Sequence, residues 1–410
     1  MPINAFIPGG VTAARGFSAA GEHLGIRKNR ERKDVALILS QCPAAAAACY
    51  TQNLVKGAPL LVTREHLENG VAQAIICNSG NANTCNANGV EIAQGMSALV
   101  EKHTGVPAEN VIVASTGVIG QPMSLEPFQQ GMEKLAAALR EGPEGGRDAA
   151  QAIMTTDTVI KELAVAFEMG GKPCILGGIA KGSGMICPNM ATMLCFLTTD
   201  AAVEARVLQR ALGEVVKDTF NMLSIDGDTS TNDMVCALAN GMAGNQALSL
   251  EEGPDYEALT QAMRAVCGGL CRMMAKDGEG ATRLLSCAVA GAVSDEAAKK
   301  VAKAVVKSTL LKAAIFGADA NWGRVLCAIG YSGAEVEIGK VDVDFESAKG
   351  VLPVCRGGAG ADFSEEAAKE ILSQDEVTVR VRLNSGDAAA TAWGCDLSYD
   401  YVRINGDYRT

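Results

Sequence analysis

The clearest hydrophobic pattern in the chain is helical. Between Glu204 and Phe220, Val207, Leu208, Ala211, Leu212, Val215 and Val216 recur on one face, which predicts an amphipathic helix. Tyr256 to Ala275 predicts a second helix. Ser294 is placed to cap a third over Asp295 to Lys307. A period of two appears near the C-terminus, where Val377, Val379, Val381 and Leu383 alternate with Thr378, Arg380 and Arg382. Short apolar runs at Val35–Leu39, Ala74–Cys77, Val111–Ala114, Met193–Leu197 and Leu284–Val289 are strand-length and predict buried strands. Pro43 and the alanines after it read as a helix start. Leu397 to Ile404 alternates less cleanly, in a part of the chain that otherwise reads as strand-rich. Helices and strands interleave throughout, which predicts a mixed α/β protein. No internal repeat or low-complexity linker interrupts the pattern.

Composition narrows the class. At 410 residues the chain is long enough for two domains or one large one. Hydrophobic residues at 48% and charged residues at 20% are those of a soluble protein. Aromatics are only 4% and there are 45 glycines, so close packing of small side chains is expected. A net charge of −11 argues against nucleic acid as a partner. No apolar run reaches the ~18 residues of a membrane span, and the N-terminus lacks the pattern of an export signal. The 14 cysteines are scattered, several in apolar runs (Cys174, Cys195, Cys287, Cys327), and Cys267 and Cys271 stand at helical spacing. With only three histidines (His23, His66, His103), no metal site is expected. Buried, reduced thiols in a cytoplasmic protein are the reading that fits.

Five stretches hold candidate chemistry. In Lys181 to Thr199 a lysine and two glycines lead to Pro188 and Asn189, and the apolar run follows, so Thr192 stands where a tight loop enters a core strand. Ser115-Thr116-Gly117 ends a strand and can present a hydroxyl beside a backbone N–H, the donor pair of an oxyanion hole. Thr155-Thr156-Asp157-Thr158 is a hydroxyl cluster. Gly278-Glu279-Gly280 puts an acid at the mouth of a strand. Asp226 to Asp233 imitates a calcium loop but has Ala237 where the twelfth-place glutamate belongs. Each of these also reads as an ordinary turn.

Taken together and in order, these stretches resemble the ornithine acetyltransferase (glutamate N-acetyltransferase, ArgJ) family. The resemblance runs from Gly9-Gly10-Val11-Thr12-Ala13 through Ala191-Thr192-Met193-Leu194 to the terminal Tyr401-Val402-Arg403-Ile404-Asn405-Gly406-Asp407-Tyr408-Arg409-Thr410. It departs from the family at Thr84-Cys85-Asn86 and at Gly406. It implies two α/β lobes with layered sheets flanked by helices, superficially like the N-terminal-nucleophile hydrolases. It implies self-cleavage between Ala191 and Thr192, giving an α chain of residues 1–191 and a β chain of residues 192–410 that assemble as α2β2 or larger. It implies Thr192 as nucleophile, Thr116 and Gly117 as oxyanion hole, and Thr155, Lys181, Thr192, Glu279, Asn405 and Thr410 as substrate contacts. The implied reaction moves acetyl from N-acetylornithine to glutamate by a ping-pong route, without a cofactor. Acetyl-CoA stays open as a second acetyl donor. The chemistry agrees with the residue types: a threonine hydroxyl needs a base, and a threonine at a chain start carries its own α-amine, with a reference pKa of about 7.7–8.0. Related self-cleaving aminopeptidases use serine, so Thr192 argues against a hydrolase. A binding protein that never cleaves is the non-enzymatic alternative.

Overall fold

The computed structural model describes residues 5–187 and 193–407. Its strands are β1 (Ala5–Ile7), β2 (Phe17–Glu22), β3 (Val35–Tyr50), β4 (Val71–Asn81), β5 (Val111–Val118), β6 (Lys161–Met169), β7 (Lys172–Lys181), β8 (Leu194–Thr199), β9 (Leu223–Ser224), β10 (Met234–Ala239), β11 (Leu284–Ala292), β12 (Asp342–Ser347), β13 (Gly350–Arg356), β14 (Ala359–Gly360), β15 (Glu376–Arg382) and β16 (Ala388–Cys395). The helices are α1 (Ala58–His66), α2 (Gly89–Thr104), α3 (Glu126–Ala137), α4 (Pro143–Ala152), α5 (Ala205–Asp218), α6 (Pro254–Lys276), α7 (Asp295–Lys307), α8 (Thr309–Phe316), α9 (Trp322–Gly330), α10 (Glu365–Leu372) and α11 (Tyr399–Asp407).

Among the described residues the strands form two sheets, one per lobe. The first runs β1-β6-β7-β8-β10-β3-β4-β5, with β2 added on β3, and the second runs β14-β13-β12-β15-β11-β16-β9. The mixed α/β pattern read from the sequence, and the two lobes implied by the resemblance, are therefore present. The second sheet uses only residues from 223 onward, but the first draws on both sides of the expected cut. β8 lies antiparallel to β7 and parallel to β10, and β10 lies antiparallel to β3. The bond 191–192 thus falls between neighbouring strands of one sheet, and its two flanking residues, Ala191 and Thr192, lie outside the described residues.

Helices cover the sheets as the periodicity demands. All six apolar positions of α5 are buried, and they share a core with α6 and with Val165, Cys195, Leu197 and Val235 of the first sheet. Burying a Val or Leu side chain contributes roughly 1.5–3 kcal/mol, so this one helix face is a large part of the lobe's cohesion. The opposite face, with Ile38, Ile75, Phe196 and Leu238, packs against Ala149 and Ala152 of α4. α7, capped by Ser294 through the Ala297 N–H, lies on the second sheet against Cys287 and Val289.

Three local readings change. Pro43 and its alanines do not begin a helix; they lie inside β3, whose register against β4 breaks between Leu39 and Ala44. A proline is tolerated at such a break, and pairing of Ala45–Tyr50 with β10 overrides the helical preference of alanine. The strand read at Ala74–Cys77 runs on through residues 78–81, turn formers by type, because β4 continues beside β5 through them. Residues 399–407 form a helix. Cys174, Cys195, Cys267, Cys271 and Cys287 are buried as expected, but Cys327 is exposed, on the outer side of α9. Among the described residues no helix is long and apolar enough to cross a membrane.

Candidate active site

The site is built where the ends of β5 and β7 meet loops from the second half of the chain. In the parallel pairing of β4 with β5, Ser79 lies opposite Thr116 and Gly80 opposite Gly117. Gly117 has φ +131°, and a Cβ there would lie 2.4 Å from the carbonyl carbon of Gly80, so only glycine fits. The turn is braced from both sides. Ser115 Oγ donates to Asn78 Oδ1 at 2.6 Å. Asn232 Nδ2 donates to the carbonyls of Ala82 (2.6 Å) and Ser115 (3.0 Å), while its Oδ1 accepts from Thr84 (2.5 Å) and Thr231 (2.6 Å). The stretch from Asn78 to Thr84, together with Asn232, thus backs Thr116 and Gly117.

A buried charge cluster holds the other wall. Lys161, at 0% exposure, donates from Nζ to Asp157 Oδ1 at 2.7 Å and to Asp277 Oδ2 at 2.6 Å. Asp157 also accepts from the Thr155 N–H (2.9 Å) and the Gly182 N–H (2.7 Å). One carboxylate therefore ties the Thr155 loop to the residue that follows Lys181. Burial alone would raise the Asp157 carboxyl; the ammonium groups of Lys181 and Lys161 and the Thr155 N–H outweigh it and hold the acid well below the usual carboxylate range. Lys181 is buried, and burial lowers its pKa against the pull of Asp157.

Glu279 closes the third side. Its backbone N–H donates to Ser183 at 2.8 Å, and its Oε2 accepts from Asn405 Nδ2 at 2.7 Å. A Cβ on Gly184 would sit 2.3 Å from the Glu279 carboxyl carbon, so glycine at 184 is what lets the acid reach its place. Asn405 reaches Glu279 because α11 docks on the 278–280 turn, where Ser398 Oγ donates to the Gly280 carbonyl at 2.5 Å. Asp226 accepts from the N–H groups of Met185 (2.5 Å) and Ile186 (2.9 Å) and so shapes the chain just ahead of the expected cleavage segment.

These walls enclose a cavity of about 120 Å³ lined by Thr116, Gly117, Thr155, Thr156, Lys181, Glu279 and Asn405, with Gly184, Met185 and Ser230. A smaller one of about 20 Å³ adjoins it and adds Met193, Asn232 and Asp233. Six of the candidate residues therefore come together. Ala191, Thr192 and Thr410 lie outside the described residues, but Met193, bonded to Thr192, lines the smaller cavity. Ser230, Asn232 and Asp233 were missed as site residues: their run was legible as a polar loop, with nothing local to say which cavity it lines. A larger cleft of about 510 Å³, bordered by Phe6, Leu163, Met273 and Leu284, is apolar and holds none of the candidate residues. The histidines are structural where they are tied down: His23 Nδ1 lies 2.9 Å from the Arg32 carbonyl and His66 Nδ1 lies 2.8 Å from that of Val111. Among the described residues no three His, Cys, Asp or Glu side chains are gathered as a metal ion would need.

The chain is similar to known proteins over nearly its whole length. The model of the ArgJ family matches residues 18–410. The arginine biosynthesis bifunctional protein ArgJ of Symbiobacterium thermophilum is 51% identical over 407 residues, covering 99% of this chain and 100% of its own length. The protein of the same name from Bacillus subtilis is 44% identical over 406 residues, covering 98% and 97%. Among solved structures, that of the arginine biosynthesis bifunctional protein from Bacillus halodurans is 45% identical, with 51% of this chain and 96% of that chain covered at a TM-score of 0.48. The ornithine acetyltransferase of Mycobacterium tuberculosis, solved with ornithine, is 36% identical, with 46% and 99% covered at a TM-score of 0.42. With a family match over nearly its whole length and relatives about half identical from end to end, the chain belongs to the ArgJ family, the acetyltransferases of arginine biosynthesis.

Proposed function

We propose that this enzyme moves the acetyl group of N-acetylornithine to glutamate in two steps through an acetyl-threonine at Thr192. The freed α-amine of Thr192 takes the Oγ proton as Oγ attacks the acetamide carbon. The oxyanion that forms is met by the Thr116 hydroxyl and the Gly117 N–H. Collapse breaks the C–N bond, the ornithine amine leaves with the proton, and the amine of glutamate then attacks the acetyl ester. Lys181 faces a substrate carboxylate, Glu279 a substrate ammonium, and Thr155, Asn405 and Thr410 complete the grip. One observation supports this above the others: Thr116, Gly117, Thr155, Lys181, Glu279 and Asn405, spread over 290 positions (405 − 116 + 1), converge on one cavity whose annex is lined by the neighbour of Thr192. Incubation with acetylornithine and glutamate, without CoA, tests it. N-Acetylglutamate should form, and leaving out glutamate should stop turnover after one acetyl group per site. Continued acetate release without glutamate would make the enzyme a hydrolase. We extend the proposal to acetyl-CoA as a second donor, which the word bifunctional in the relatives' names supports. The cleaved halves are proposed to remain together through the β7–β8 and β10–β3 ladders, and the joined halves to assemble further as α2β2 or larger.

Two further results are expected. Removing an oxyanion donor typically costs on the order of 10²–10³ in kcat. Thr116→Ala should therefore slow transfer by that factor and leave KM nearly unchanged; an effect confined to KM would move Thr116 to substrate binding. Asn405→Ala leaves Glu279 without the bond of 2.7 Å that orients it. It should raise KM for ornithine-type substrates roughly tenfold, the worth of a hydrogen bond to a charged group, while the chain is still cut in two. Unchanged KM would remove Asn405 from the site.

A further inference from the structure

The acetyl-transfer scheme leaves one buried group at the site unused. Asp233 is 2% exposed, and its Oδ2 has no hydrogen-bond partner among the described residues. It lines the cavity of about 20 Å³ together with Met193, Lys181, Thr116 and Asn232. That volume is about what one water molecule needs, and the lining is polar enough to hold one.

The charges around it are already matched. Lys161 lies between Asp157 and Asp277, and Asp157 also faces Lys181. Two cations thus meet two carboxylates before Asp233 is counted. Among the described residues, the Lys181 ammonium, on β7, and the Ser230 hydroxyl are the side chains that bear on Asp233, and Cys77 on β4 bears on Lys181 rather than on Asp233. We propose that Asp233 is a positioning residue that works as an uncharged carboxylic acid, giving the cavity lined by Met193 a hydrogen-bonding group without a negative charge. Burial outweighs the pull of the Ser230 hydroxyl and of the Lys181 ammonium and pushes its carboxyl well above the ordinary value, which agrees with the geometry.

The consequence for catalysis follows from Coulomb's law and rests on the reading of the Thr192 amine as base. A carboxylate in the cavity lined by Met193 would favour the ammonium form of that amine and remove the lone pair the reaction needs. A neutral acid there, with Lys181 nearby, leaves the amine free to act near neutral pH.

Asp233→Asn tests this, because asparagine copies a neutral carboxyl in size. A group whose pKa is raised in the folded state contributes stability that is present below its unfolded value, about 3.9, and is lost as pH rises toward the folded value. The variant has no such loss. Its melting temperature should exceed that of the unaltered protein at pH 7.5, and the gain should shrink toward zero as pH falls to about 4. In infrared difference spectra at pH 7, the unaltered protein should show a protonated carboxyl band that the variant lacks. The acid limb of kcat/KM should move by less than about half a unit. A lower melting temperature at pH 7.5, or no such band, would show a paired carboxylate and overturn the proposal. A limb shifted down by about one unit or more would show that the amine had been feeling a negative charge, and would overturn it too. Melting and infrared readings do not depend on activity. Failure of the acetyl-threonine reading shows separately, as absence of two chains or of transfer in the unaltered enzyme.

Discussion

Thr192→Ala is expected to leave one uncut chain of 410 residues and to lower acetyl transfer by on the order of 10⁶, the usual cost of losing a nucleophile that works as part of a unit. Both losses share one cause. If the same hydroxyl opens the 191–192 bond and later carries the acetyl group, removing it stops cleavage, and without cleavage there is no α-amine to act as base. Thr192→Ser keeps the hydroxyl and should keep part of both reactions. The fold around the bond should not change, because the strand that follows is held independently. β8 is bonded on one side to β7 and on the other to β10, and all six of its residues are buried. A denaturing gel reads cleavage, with chains of 191 and 219 residues (410 − 191) expected from the unaltered protein. A native sizing column reads assembly. An alanine variant that is still cut, or one uncut and active, would move the nucleophile elsewhere.

Lys161→Met is expected to destabilise the protein by about 3–5 kcal/mol, the cost of breaking a buried ion pair from one side. Lys161 is fully buried, with carboxylates 2.7 and 2.6 Å from its ammonium. Removing that charge leaves Asp277 without its ion-pair partner and Asp157 with Lys181 alone. The damage should reach the site as well, since Asp157 holds the N–H groups of both Thr155 and Gly182. Loss of kcat/KM should therefore accompany the fall in denaturation midpoint. The pH dependence has a definite sign. The folded-state pKa of Asp157 is depressed, so its contribution is present above the unfolded carboxyl value of about 3.9 and is lost as pH falls below it. The variant should show a flatter loss of stability on acidification than the unaltered protein. Adding Asp157→Asn should restore part of the stability, because it removes one of the stranded charges. A midpoint within about 1 kcal/mol of the original would mean that the cluster is solvated and does not act as argued.

Much of the architecture was legible from periodicity. α5, α6 and α7 lie within two residues of where the 3.6-residue pattern puts them, and β15 buries Val377, Val379 and Val381 while exposing Arg380 and Arg382. In each case a regular element must bury one face, and the face is written in the spacing of its own residues. The misreadings fall where that spacing is uninformative. The alanines after Pro43 suit a helix but are captured by β10, and the apolar positions of α11 fit neither period well because none of them is buried.

For the site, residue types marked the stretches around Thr116, Gly117, Thr155, Lys181 and Glu279 but left each readable as a turn, and the resemblance gave them roles and added Asn405. What no local pattern carries is how they meet. Gly117 stands by Gly80 through strand register, Thr155 by Gly182 through a shared carboxylate, and Glu279 by Asn405 through the docking of α11. The roles of Asn232 and Asp233 were invisible for the same reason. A side chain's polarity can be read from its name, but its charge state and its partners depend on burial and on groups brought from more than a hundred positions away, as Asn232 is brought to Ser115. Hydrophobic spacing is a property of neighbours along the chain, so it determined the elements. Electrostatics is a property of neighbours in space, so only the folded sheets decided the site.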